Sequence, residues 1–182
     1  MITSVPILKA IEQEAGNLVV TGPFDRRAIL AAFTDVESGP WGARAEAGLF
    51  EDRYYRGGVY YRRHVIELVH KYESLAACSY GPWQVLFPTA FELGYRGHPV
   101  GLLEPAICAV YCVKILNGRW ADKSQLHLAA DAYNTGNDRD RIIPAANYTE
   151  NFIAAFDEAT LWYAERDSRL SGSLGEQSDP KV

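Results

Sequence analysis

Glu37 is the residue of this chain best placed for acid chemistry. It lies four positions after Phe33 and eight after Ile29, beside an apolar stripe of Ile29, Phe33 and Val36, and just before Gly39-Pro40, a pair that stops a helix. A carboxyl in that position is pressed against apolar surface and faces the negative end of the helix dipole. Both effects disfavour its charged form and raise its pKa. A carboxylic acid that keeps its proton near neutral pH is what protonation of a glycosidic oxygen requires. The plain alternative for the same residue is a solvated helix-terminal Glu.

Two further segments combine polar chemistry with a break in periodicity. Gly81-Pro82-Trp83-Gln84 reads as a turn entering a helix, and Ala132-Tyr133-Asn134-Thr135-Gly136 as a helix end followed by a loop. Trp41, Trp83, Tyr54 and Tyr55 suit stacking on sugar faces and serve equally well as core or loop anchors. His64, His70, His98 and His127 show no ligand spacing, so neither metal nor cofactor is expected. Cys78, Cys108 and Cys112 are an odd number, which argues against a disulfide scaffold. Cys108 and Cys112 sit about 6 Å apart on one helix, poor geometry for a disulfide. All three read as small buried hydrophobes.

The elements that must position these residues are helical. A short helix or turn covers 6–16. Asp25 caps a helix to about Ser38. Residues 41–58 hold four glycines and read as a long loop with a possible small hairpin. Helices follow over about 59–74 and from Trp83 to Leu93. Glu104-Pro105 opens a strongly apolar helix to Leu116, which Asn117-Gly118 ends. Ser124 caps a helix to Tyr133, and residues from Asn134 to Asp138 form a loop. Asn147 and Glu150 form a capping box for a last helix over about 148–166. The expectation is an all-α single domain over 1–167, with a small, polar, disordered tail over 168–182.

The charge-bearing segments, taken in order, resemble a known family. Ile29 through Gly39, with its Glu37-Ser38 end, resembles the catalytic helix of soluble lytic transglycosylases. Gly81-Pro82-Trp83-Gln84 followed by Pro88-Thr89-Ala90 looks like that family's Gly-Leu-Met-Gln and Pro-x-Thr-Ala segment. The helix from Glu104-Pro105 to Ile115-Leu116 has the spacing of its Asp-Pro to Tyr-Leu helix, and Ala132-Tyr133-Asn134-Thr135-Gly136 matches its Ala-Tyr-Asn-Ala-Gly. The chain departs from the family at Cys108 and Cys112, where the family has Asn and Gly. The stretch between Ser38 and Gly81 is also about twice as long as usual. That insertion, with Gly48-Leu49-Phe50-Glu51-Asp52-Arg53, is similar to phage-type N-acetylmuramidases. Both families share the lysozyme-like core.

The resemblance implies roles. Glu37 is the catalytic acid, Ser38 contacts substrate, Gln84 sits in the cleft, Tyr133 orients Glu37, and Asn134 supports that loop. In a transglycosylase the muramyl 6-hydroxyl closes on C1 and no second carboxylate is needed. A hydrolytic muramidase needs one, and Glu51 is favoured over Asp52, Glu46 and Glu73. Trp83 and Trp41 are the candidate sugar platforms. Cleavage of peptidoglycan glycan strands is the expected activity, with the transglycosylase outcome preferred. The reading from another class is a glycan-binding or virion structural protein without activity.

Composition limits the partners. Among 182 residues the net charge is −5, and no basic tract carries interleaved aromatics, so nucleic acid is excluded as the main partner. No apolar run reaches the roughly 18 residues of a membrane span. The N-terminus lacks the pattern of a secretory signal. A monomer made in the cytoplasm and delivered to the cell wall by a phage or virion route is expected.

Overall fold

The computed structural model describes residues 4–37, 43–45, 63–135 and 147–175. Seven α-helices dominate them: α1 (Val5–Glu14), α2 (Arg26–Glu37), α3 (Arg63–Tyr72), α4 (Phe87–Glu92), α5 (Pro105–Arg119), α6 (Leu126–Thr135) and α7 (Tyr148–Gly175). Three short strands, β1 (Ala43–Ala45), β2 (Cys78–Tyr80) and β3 (Val85–Leu86), form one antiparallel sheet in that order. The α-rich class expected from the sequence is the class observed.

Helix α2 is the spine. Asp25 Oδ1 accepts the Arg27 backbone N–H at 2.8 Å and so caps its start. Its residues from Ala28 through Thr34 are all buried, a run too long for one amphipathic face. The reason is that the helix is covered on several sides. Alanines 28, 31 and 32 let neighbours approach closely, and α7 packs along its whole length. The two run antiparallel, because Tyr148 at the start of α7 meets Glu37 while Asp167 meets Arg27. Phe33 packs between α6 and α7, 4.6 Å from the Tyr133 ring and 4.4 Å from the Phe152 ring. Helix α5 buries most of its sides, including Cys108, Cys112 and Leu116, and packs on α1 and α6. One apolar cluster runs from Ile7 to Tyr163.

Four boundaries differ from the sequence reading. The helix expected from Trp83 is confined to Phe87–Glu92, because Trp83 and Gln84 lie in a turn between β2 and β3. Gln84 has φ 45°, which no α-helix can pass through. Strand β1 falls in the 41–58 window, but its partner is β2, with Ala43 opposite Tyr80 and Ala45 opposite Cys78. Helix α5 runs past Asn117-Gly118 to Arg119. The Asn117 side chain bonds the backbone of Asn17 and Val19, and the Lys123 ammonium takes the carbonyls of Leu116, Asn117 and Trp120. Helix α7 continues through 168–175, where a disordered tail was expected. Arg169 pairs with Glu165 and the Ser171 hydroxyl bonds the Asp167 carbonyl. No Gly or Pro interrupts the helix before Gly172.

Candidate functional site

Glu37 is the last residue of α2 and is partly buried. Its position one turn beyond Phe33 places it at the rim of the aromatic cluster formed with Tyr133 and Phe152. The hydroxyl of Tyr148 donates to Glu37 Oε1 at 2.6 Å. That distance lies at the short end of the range for O–H···O hydrogen bonds. Tyr148 opens α7 directly after Asn147, whose φ of 82° is left-handed rather than the extended backbone of the expected capping box. Asn is among the few residues that tolerate this conformation. The Asn147 carbonyl accepts the Asn151 N–H at 2.8 Å, and Thr149 Oγ1 donates to Asp131 Oδ1 at 3.0 Å, which ties this end of α7 to α6.

Tyr133 had been expected to orient Glu37. Its hydroxyl instead donates to the Trp83 carbonyl at 2.6 Å, and the phenol bonded to Glu37 is Tyr148. The ring of Tyr133 lies against Phe33, which turns its hydroxyl toward the β2–β3 turn. The resemblance points to Tyr133 because the Ala-Tyr-Asn-Thr-Gly segment lies there. Tyr148 follows a separate stretch of chain, and only its place beside a helix start was visible.

The surroundings of Glu37 carry groups that stay neutral. Burial pushes the Tyr133 phenol well above its usual range, and the nearby Cys112 and Glu37 push it further. Burial, with Cys108 and then Glu37 nearby, pushes the Cys112 thiol well up, and burial pushes Cys108 up to about 12. All three cysteines are buried and none is in a disulfide. Glu37 is therefore close enough to Tyr133 and Cys112 to act on them electrostatically, while its own side chain stays partly exposed.

The 81–84 turn holds the second group of candidate residues. Trp83 is completely buried and its indole Nε1 donates to the Leu30 carbonyl of α2 at 2.9 Å. It is a core anchor and no sugar platform. Gln84 is partly exposed. Its Nε2 donates to the Gly81 carbonyl at 2.9 Å and its Oε1 accepts the Ser79 hydroxyl at 2.9 Å. Gly81 has φ 71°. A Cβ there would collide with the Leu102 carbonyl oxygen and lie 2.8 Å from Cys108 Sγ.

Asn134 is exposed and lies within α6, not in a loop. Ser38, Trp41 and Glu51 lie outside the described residues, as do Glu46, Asp52, Tyr54 and Tyr55. Glu73 is exposed in a 3-10 turn after α3 with φ 51°. Among the described residues no group of three or more His, Cys, Asp or Glu side chains could hold a metal ion, and no helix is long and apolar enough to cross a membrane. Comparison with family models, curated protein sequences and solved structures returns no match for this chain.

Proposed function

We propose that this protein cleaves the β-1,4 bond between N-acetylmuramic acid and N-acetylglucosamine in peptidoglycan, with Glu37 as general acid and a lytic transglycosylase outcome. The observation that carries this reading is the short bond from the Tyr148 hydroxyl to Glu37 Oε1, on a carboxyl at the end of a buried helix. The ordered sequence resemblance across 29–136 supplies the substrate class.

The Tyr148 bond holds Oε1 and with it the plane of the carboxyl. The acid proton then resides on Oε2 and passes to the glycosidic oxygen as the C1–O bond breaks. The leaving sugar departs with a free 4-hydroxyl, and positive charge builds on the muramyl C1 and ring oxygen. The muramyl 6-hydroxyl oxygen bonds to C1, and its proton goes to the Glu37 carboxylate, which restores the acid. No water is consumed, so the product ends in 1,6-anhydromuramic acid.

Two measurements test this. Glu37→Gln keeps the shape but cannot deliver a proton, and general acid catalysis is worth roughly 10²–10⁴-fold. Lysis of purified sacculi by that variant at the wild-type rate would remove Glu37 from the mechanism. Mass spectrometry of the released muropeptides should show ends about 18 Da lighter than reducing ends. Reducing ends would assign hydrolysis instead. A wild-type protein that clears no sacculi would leave only glycan binding.

A further inference from the structure

We propose that Tyr133 is a positioning residue for the 81–84 turn, and so for the Gln84 side of the cleft, acting through the Trp83 carbonyl and not through Glu37. This rests on the glycan-cleaving reading and assigns the motif tyrosine a different task within it.

The turn is strained. Gln84 has φ 45°, and a non-glycine residue held there costs energy that the surroundings must overcome. Clamps from several elements do so. The Trp83 indole reaches α2 at the Leu30 carbonyl, and the Tyr133 hydroxyl reaches in from α6 to the Trp83 carbonyl at 2.6 Å. Cys108 Sγ of α5 lies 3.3 Å from the Tyr80 carbonyl, in position to donate to it. Within the hairpin, Gln84 N and Nε2 both donate to the Gly81 carbonyl, and Ser79 Oγ donates to Gln84 Oε1.

The Trp83 carbonyl belongs to the peptide unit that leads into Gln84. Holding that oxygen therefore restricts the rotation that sets Gln84 φ. Because the indole of the same residue is fixed to α2, Trp83 is held at both its side chain and its backbone. Helix α2 ends at Glu37, so the turn and the acid are referenced to one helix. Tyr133 contributes the clamp that α2 cannot supply itself. In this arrangement Tyr133 governs how substrate is held, while Tyr148 governs the acid.

The test combines kinetics with a readout independent of activity. Tyr133→Phe removes the hydroxyl and keeps the ring on Phe33. It is expected to raise KM for soluble glycan strands about fivefold, the worth of one neutral hydrogen bond, with kcat changed less than about twofold. In ¹⁵N-labelled protein the Gln84 side-chain amide resonances should shift or broaden in the same variant. Ser79→Ala approaches the turn from the other side and should reproduce both effects. A fall in kcat with unchanged KM, or Gln84 resonances identical to wild type in both variants, would overturn the proposal. If the wild type shows no lytic activity the functional reading falls. The Gln84 resonances and the binding of chitotriose, expected about fivefold weaker in Tyr133→Phe, then decide the positioning role on their own.

Discussion

Glu37 and Tyr148 sit 111 positions apart and are joined by a hydrogen bond of 2.6 Å. A carboxyl has two equivalent oxygens and a broad terminal torsion, so without a partner its acid proton would point in no fixed direction. Tyr148→Phe removes this hydrogen bond and leaves the ring. Its stability cost should be about 1 kcal/mol, one hydrogen bond, read as a small shift in a denaturation midpoint. Its effect on turnover should be larger, roughly 10–100-fold in kcat, because misplacing a reacting group by an ångström is costly. Equal kcat in Tyr148→Phe and wild type would show that the bond is only structural. The expectation for Tyr133 is the reverse, a KM effect, so the two tyrosines are separable by one set of kinetics. That Glu37 ends a helix beside an apolar stripe was legible in the sequence from Ile29, Phe33 and Val36 and the break after them. Its hydroxyl partner was not, because the periodicity of one helix says nothing about which side chain of another reaches its end.

At the scale of elements, the β2–β3 hairpin leaves little room for change at Gly81. Gly81 has positive φ and no room for a Cβ beside the Leu102 carbonyl and Cys108. Gly81→Ala therefore combines backbone strain with a collision against a packed helix. The expected loss is about 2–4 kcal/mol, measured by chemical denaturation, with more than half of the glycan affinity lost in the fraction that folds. A neutral result would mean that the turn can relax at no cost and that the strain at Gln84 is not functional. The part of the hairpin from Trp83 to Leu86 reads as helix in the sequence for a local reason. Val85-Leu86-Phe87 continues smoothly into Pro88-Thr89-Ala90, and short apolar runs do not distinguish strand from helix. The pairing of β2 with β1 was hidden for a different reason. Its partner lies more than thirty residues earlier in the chain, and the register is set by contacts across that gap.

For the whole molecule, the α2–α7 pair carries the site at one end and an ionic clasp at the other. Arg27 pairs with Asp25 at 2.7 Å and with Asp167 at 2.8 Å, and its guanidinium lies 4.5 Å from the centre of the Tyr163 ring. Arg166 lies over the same ring at 4.9 Å and pairs with Glu12 of α1. Burial disfavours the charge of Asp25. The hydrogen bonds from the Arg27 side chain and backbone, with its positive charge, outweigh burial and hold the carboxyl below its ordinary value. A depressed carboxyl value means that the stabilisation is fully present above the unfolded value, about 4, and is lost as pH falls through the lower folded value. Thermal unfolding should therefore show stability declining below about pH 4. Asp25→Asn should lower stability by about 1–2 kcal/mol at pH 7 and flatten that acid decline. An unchanged pH slope in Asp25→Asn would remove Asp25 from the clasp.

Local sequence carried the α-rich class, the cap and end of the helix that holds Glu37, and the burial of the three cysteines. Each follows from local properties: side-chain periodicity, capping chemistry, breakers such as Gly39-Pro40, and the apolar character of a neutral thiol. Tertiary packing set the rest: the hydroxyl of Tyr148 rather than that of Tyr133 bonds Glu37, Trp83 is interior, Gln84 lies in a strained turn, and α7 runs on to Gly175. The first three depend on which surfaces of α2, α6 and α7 face one another, a choice made by the summed burial of a core drawn from the whole chain. The last depends on continued i,i+4 pairing along an exposed helix, where small local gains decide its end and composition alone reads as disorder.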